Sequence, residues 1–317
     1  MITLIKNGYV IDPKSEREGY YDILIRDGRV WKVIDKSKYD KSEYDMEADK
    51  IIDAAGKLVM PGFIDLHVHL REPGYEYKED IITGSMAAAA GGFTTICAMP
   101  NTNPALDSKD ILDYVTERAR KAAVNVLFIG AVTVKQEGKQ LTDINALKKA
   151  GAVAVSEDGK SVMDTALYKK AMEEAAKTGI PVFAHCEDKS LAGAGVIAAG
   201  KKARQLGLCG ISNDVEDIIV ARDIRLAKET GARLHICHCS TKDSAKMLAL
   251  AKEAGLTVTG EVCPHHFTLS DEDIPADYAN YKMNPPLRSP ADVSALRDAL
   301  KNDIIDIIAT DHAPHSQ

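Results

Sequence analysis

Apolar positions along this chain recur in two textures, and the change falls near residue 60. Before it, short runs alternate apolar and polar side chains. Ile2 to Ile11, Tyr21 to Ile25, Val30 to Ile34 and Lys50 to Met60 read as strands, punctuated by turns at Asn7-Gly8, Asp27-Gly28 and Ala55-Gly56. Residues 1–60 are therefore expected to form a small, sandwich-like β unit, part of a composite sandwich. Within it, Lys36 to Lys50 is densely charged and is expected to be a solvated loop.

From Pro61 the texture becomes apolar strands alternating with amphipathic helices, which calls for a parallel sheet. Eight strand candidates follow: Phe63 to His69, Phe93 to Asn101, Val124 to Thr133, Ala152 to Asp158, Ile180 to Glu187, Arg233 to Ser240, Leu256 to His265 and Ile304 to His312. Helical periodicity marks Asp107 to Ala122, Ala166 to Thr178, Asp214 to Thr230, Thr241 to Ala254 and Pro290 to Asn302. Eight such units in about 250 residues predict a (β/α)8 TIM-type barrel over 61–317. A doubly wound open sheet is the competing arrangement, but polar residues at so many strand ends suit a closed ring. The chain stops at Gln317 with no helix after the eighth strand candidate, so the barrel is expected to be C-terminally truncated. Gly193, Gly195 and Gly200 have neither phosphate-loop nor dinucleotide spacing and are read as part of a long loop.

Composition narrows the function classes. A chain of 317 residues that is 45% hydrophobic and 27% charged can bury a large core. Its net charge is −7 and its basic residues are scattered, which argues against a nucleic-acid partner and for a small-molecule substrate. No apolar run reaches membrane-span length and no basic segment leads into an apolar one at the N-terminus, so no membrane partner and a cytoplasmic location are expected. The six cysteines contain no C-x-x-C pair, against both a disulfide framework and a thiolate zinc knot.

The candidate chemistry lies at the strand ends. His67 and His69 are two residues apart on one strand, so both imidazoles can reach one ion from the same face. Later strands end in Glu157 and Asp158, His185, His238 and Asp311. In a barrel these ends meet on one face, and a mixed His/Asp set suits one or two Zn²⁺ ions better than Mg²⁺. Each residue has a dull alternative, a structural His or, for Asp311, a helix cap, but that alternative has to hold independently for four histidines. His265 and His266 are adjacent and read as packing or supporting residues. Cys237 and Cys239 alternate with His238 and are expected to point away from its face, toward helices.

Four motifs in order extend the pattern: His67-Val68-His69-Leu70-Arg71-Glu72-Pro73-Gly74, Ala98-Met99-Pro100-Asn101-Thr102-Asn103-Pro104, Lys282-Met283-Asn284-Pro285-Pro286-Leu287-Arg288 and Thr310-Asp311-His312-Ala313-Pro314-His315. With them the chain resembles the dihydroorotases of the longer bacterial type, in the amidohydrolase superfamily. The resemblance implies a metal centre of His67, His69, Asp158, His185, His238 and Asp311, with two Zn²⁺ bridged by Asp158 and Glu157 as second choice for the bridge. It implies that Arg71, Asn101 and His315 hold the substrate's α-carboxylate, that Asn284 contacts the ring and that Asp311 moves the catalytic proton. The implied activity is zinc-dependent interconversion of N-carbamoyl-L-aspartate and L-dihydroorotate in de novo pyrimidine biosynthesis. A homodimer and association with aspartate carbamoyltransferase are the implied partners. The alternatives are a related hydantoinase-like or allantoinase-like enzyme, against which Arg71 is the discriminator, and a non-catalytic scaffold subunit, which loss of metal ligands would mark; none is lost here.

Overall fold

The computed structural model describes residues 1–36 and 48–316. Two compact units emerge, Met1–Phe63 and Ile64–Gln317. Most of the charged segment expected as a solvated loop, 37–47, lies outside the described residues.

The first unit is one five-stranded mixed sheet of β1 (Ile2–Asp12), β2 (Arg17–Arg26), β3 (Arg29–Asp35), β4 (Lys50–Asp53) and β5 (Leu58–Val59). β1 is central: it pairs antiparallel with β2 and parallel with β4 and β5, while β3 lies antiparallel outside β2. The expected turn at Asn7-Gly8 is a correction. β1 runs straight through it, with a register shift between Ile5 and Gly8 and Asn7 at φ +68°, which makes the pair a bulge. Gly8 is required there because a Cβ would meet Val59 Cγ2 at 2.4 Å.

The second unit alternates strands and helices: β6 (Phe63–Val68), α1 (Ile81–Ala90), β7 (Phe93–Ala98), α2 (Lys109–Ala119), β8 (Asn125–Ala131), α3 (Ile144–Lys149), β9 (Ala154–Ser156), α4 (Thr165–Thr178) and β10 (Val182–Ala184). It continues with α5 (Lys189–Ala192), β11 (Ile197–Ala198), α6 (Lys201–Leu206), β12 (Gly210–Ile211), α7 (Asp214–Thr230), β13 (Leu234–Ile236) and α8 (Lys242–Glu253). β14 (Val258–Val262), α9 (Pro264–Thr268), α10 (Pro290–Lys301) and β15 (Ile307–Ile308) complete it. Eight strands form a parallel barrel in the order β6-β7-β8-β9-β10-β13-β14-β15. The region read as a long loop is instead partly ordered: β11 and β12 pair as a small parallel sheet beside α6. The expected strand up to His265 is also corrected, because Pro264 opens α9 and ends β14 at Val262.

Local signals explain the helix limits. Asp164 accepts from Leu167 N at the start of α4, whose C-cap Gly179 sits at φ +69°. Ser289 and Asp292 make a reciprocal capping box at α10, with Pro290 in the first turn. α1 is alanine-rich and has no polar face opposite an apolar one, so periodicity does not announce it.

Alternation along the strands sorts side chains into two layers. Ile96, Ala98, Val182 and Ala184 face the helices and join the large core, whereas Cys97, Met99, Ile129, Ala154, Phe183 and Cys237 pack together inside the barrel. Between first and eighth strands the ring is closed by a bridge of Val68 to His312 and by His69 N donating to His312 O at 2.8 Å. The buried Asp65 carboxylate reinforces that seam, accepting from Thr310 Oγ1 (2.6 Å), Thr310 N (3.1 Å) and His67 N (3.1 Å).

Replacing Asp65 by Ala leaves two backbone N–H groups unpaired at the seam, and an unpaired buried donor costs about 1–3 kcal/mol. We expect Asp65→Ala to lower unfolding stability by about 2–4 kcal/mol in chemical denaturation. A loss below about 0.5 kcal/mol, the range of an ordinary surface change, contradicts this account of the seam.

Candidate metal centre

The histidines and carboxylates singled out in the sequence lie at or just beyond strand ends on one face of the barrel, with His67 the penultimate residue of β6. His69 is one residue past β6, Asp158 two past β9, His185 one past β10, His238 two past β13 and Asp311 three past β15. Two of them sit in left-handed backbone, His238 at φ +34° and Asp311 at φ +51°, as does Arg71 at φ +64°. Such conformations cost non-glycine residues about 1–3 kcal/mol and persist where the surroundings over-determine them.

Asp158 is the shared corner of two donor groups. His67, His69 and Asp158 offer ligand atoms within 4.8 Å of one another, and so do Asp158, His185 and His238. Asp158 Oδ1 lies 3.4 Å from His67 Nε2, 3.5 Å from His185 Nδ1 and 3.8 Å from His238 Nε2, while Oδ2 lies 3.6 Å from His69 Nε2. Asp311 Oδ1 closes the first group at 2.9 Å from His69 Nε2 and 3.5 Å from His67 Nε2. Glu157 is excluded from the cluster because it turns to Thr133, accepting from its N at 3.0 Å and from its hydroxyl.

Three of the four imidazoles are held from outside by one nitrogen and turn the other inward, and His238 Nε2 meets His185 Nδ1 at 2.8 Å. His67 Nδ1 contacts Glu261 Oε1 at 2.6 Å, His69 Nδ1 contacts Asn101 Oδ1 at 2.9 Å and His185 Nε2 contacts Glu187 Oε2 at 3.0 Å. This is the arrangement by which outer carboxylates and amides orient metal-binding histidines. His67 Nε2 and Asp158 Oδ1 are both buried and lack any hydrogen-bond partner, although they face each other. Buried polar atoms without partners are costly, and a cation between them satisfies both. The donor set of imidazole nitrogens and carboxylate oxygens thus fits a divalent metal of the zinc type.

Charge balance supports the same reading. Burial alone would keep His67 neutral, yet Glu261, Asp311 and Asp158 outweigh it and hold the imidazole well above its ordinary range. For Asp158 burial likewise opposes ionisation, but His67, His185 and His238 keep the carboxyl well below the usual range. Glu261 is held low against burial by His67 and His235. The cluster is built to keep its carboxylates ionised.

The residues expected at the substrate lie around this centre. Asn101 spans His69 and Asp158, donating to Asp158 Oδ2 at 3.2 Å. Arg71 donates through Nε to Pro314 O at 3.2 Å and brings Nη2 within 3.5 Å of His315 Nε2. Asn284 donates to Glu187 Oε2 at 3.3 Å, so Glu187 touches both the His185 ring and the Asn284 amide. His266, buried as expected, donates from Nε2 to Pro285 O at 2.9 Å and anchors the turn that carries Asn284.

Sequence reasoning missed Glu187, Glu261 and His235. Glu187 stands two residues after His185, the spacing of His67 and His69, and Glu261 is an acid in the otherwise apolar end of β14. His235 Nε2 meets Glu261 Oε2 at 3.0 Å inside the barrel. The expectation for Cys237 is corrected. It packs in the barrel interior, with donor atoms of His67, Cys237 and Glu261 within 4.8 Å, because the left-handed turn at His238 breaks strand alternation and sends both residues inward. Cys239 packs in the outer core as expected.

Comparison with known proteins agrees with this geometry. A family profile described as Dihydro-orotase-like matches residues 56–244. "Dihydroorotase" of Clostridioides difficile (strain 630) is 48% identical over 314 residues, spanning 99% of this chain and 73% of that protein. "Dihydroorotase" of Elusimicrobium minutum (strain Pei191) is 50% identical over 314 residues, spanning 99% and 71%. Among solved structures, an L-hydantoinase (dihydropyrimidinase) from Arthrobacter aurescens superposes with a TM-score of 0.80 at 26% identity, covering 99% of this chain and 69% of that one. The barrel, its His/Asp cluster and these relationships together assign the chain to the dihydroorotase family of metal-dependent cyclic amidohydrolases.

Proposed function

We propose that this enzyme interconverts L-dihydroorotate and N-carbamoyl-L-aspartate, the ring-closing step of de novo pyrimidine synthesis, with two Zn²⁺ ions bridged by Asp158. The observation that carries the substrate is Arg71 beside His315 at the rim of the His/Asp cluster, 3.5 Å apart. A cyclic amide without a carboxylate gives a guanidinium there nothing to bind, which disfavours the hydantoinase-like and allantoinase-like readings. The high identity to proteins named dihydroorotase points the same way.

Bound zinc supplies Lewis acidity, polarising the carbonyl under attack and making water acidic near neutral pH. His67, His69 and Asp311 would hold one ion and His185 and His238 the other, with Asp158 shared between the two groups. Asp311 is ionised, since His67, His69 and His238 outweigh the burial that opposes its charge. It accepts the proton of the attacking water and delivers it to the ring nitrogen that departs. The planar fork of Arg71 takes the α-carboxylate in two parallel hydrogen bonds, with Asn101 and His315 completing its shell. Asn284, steadied by Glu187, faces the ring. In the closing direction the same groups act in reverse order.

The intact ligand set disfavours a non-catalytic scaffold. No helix among the described residues is long and apolar enough to cross a membrane, and the cytoplasmic setting is proposed from the family resemblance. A homodimer and association with aspartate carbamoyltransferase complete the proposal by family resemblance.

Two predictions follow from the site. Glu261→Gln removes the carboxylate that orients His67 and is expected to weaken metal affinity by about 10–100-fold, measured by competition with a chelator; unchanged affinity contradicts the assigned role. Arg71→Lys keeps the charge but loses the fork, so KM for L-dihydroorotate should rise by about tenfold or more at constant metal content, while Arg71→Ala abolishes turnover. A wild-type KM in Arg71→Lys, followed by ultraviolet absorbance, removes Arg71 from the carboxylate subsite.

A further inference from the structure

Next to Arg71 and His315 stands a cation that neither the sequence motifs nor the site described above employs. Lys78 Nζ lies 3.4 Å from His315 Nδ1, on the opposite edge of the ring from Arg71 Nη2, which lies 3.5 Å from Nε2. Lysine and arginine are donors only, and a neutral imidazole has a single acceptor nitrogen. One of the two approaches therefore sets N–H against N–H. A carboxylate, with two oxygens and about four lone-pair directions, resolves the conflict by accepting from all three side chains.

The neighbouring acids are engaged elsewhere. Glu76 accepts from Gly74 N at 2.8 Å, Glu79 meets His312 Nε2 at 2.8 Å and Asp80 caps α1 through Thr83 N at 2.7 Å. Among the described residues no carboxylate lies within ion-pair distance of Lys78 or Arg71. The half-buried Lys78 ammonium is also flanked by aromatic faces, 5.8 Å from the Tyr75 ring and 5.7 Å from the Tyr77 ring, which limit where its head can sit. Burial, Arg71 and Lys78 all push the His315 imidazole toward its neutral form, so the group contributes two fixed cations and one polar ring.

We propose that Lys78 is a further member of the carboxylate subsite, binding with Arg71 and His315 the α-carboxylate common to L-dihydroorotate and N-carbamoyl-L-aspartate. The inference rests on the reading of the substrate given under Proposed function. That carboxylate does not react, so Lys78 binds ground state and transition state alike. Its loss then appears in KM and not in kcat.

The test is steady-state turnover of L-dihydroorotate by the zinc-loaded chain as wild type, Lys78→Met and Lys78→Arg. Losing one charge-assisted hydrogen bond should raise KM of Lys78→Met by about tenfold, with kcat within about twofold and metal content and thermal midpoint unchanged. Lys78→Arg should recover most of the loss, and added KCl should raise the wild-type KM more steeply than that of Lys78→Met. An active wild type with an unchanged KM in Lys78→Met overturns the role of Lys78 alone. So does a joint fall of kcat and metal content, which marks a structural role. A wild type that takes up zinc but leaves L-dihydroorotate untouched overturns the substrate reading, and this inference with it.

Discussion

Everything at this site depends on one buried carboxylate. Asp158 faces four imidazoles from the ends of three other strands, at 3.4–3.8 Å, and has no hydrogen-bond partner for Oδ1. A lone carboxylate in such a place would protonate to escape desolvation; the histidines around it favour the charged form instead. A divalent cation would take the place of the ring protons against the same carboxylate, freeing the nitrogen lone pairs to bind it. Glu261, Glu187 and Asn101 stand behind the rings and fix which nitrogen points inward.

The barrel makes this corner possible because parallel strands bring distant segments to one face. Candidate metal-site residues from 67 to 311 meet there, and the ring that aligns them closes through the short Val68–His312 contact and the Asp65 clasp on Thr310. Around the centre the backbone leaves regular geometry. Arg71, His238 and Asp311 take positive φ, so their side chains point where a continued strand would not send them. The same departure gives the site its asymmetry: the His/Asp cluster lies deep at the strand ends, and the donor-rich Arg71 and His315 stand at the rim.

The barrel itself was legible because its signal is redundant. Eight apolar runs, helices between them and polar residues at the ends all require the same topology, and α7 spans the residues that its periodicity predicts. The candidate His/Asp cluster was legible for the same reason, as residue types that make sense only when gathered, and the fold does bring them together. What escaped depends on tertiary context. Cys237 was assigned outward by strand alternation, which fails at His238 because that residue turns left-handed. Asn7-Gly8 has the composition of a hairpin turn, yet the long pairing of β1 with β2 absorbs it as a bulge. Glu261 and His235 are single polar residues inside strands, and nothing local tells a barrel-interior carboxylate from a solvent-facing one.

The most direct test of the whole account is a metal titration of the metal-free chain, reading ion uptake by elemental analysis and L-dihydroorotate turnover at each point. The account predicts that turnover appears only with bound zinc and saturates as two ions per chain are taken up. Saturation of uptake without turnover of L-dihydroorotate, or turnover in the metal-free chain, contradicts it.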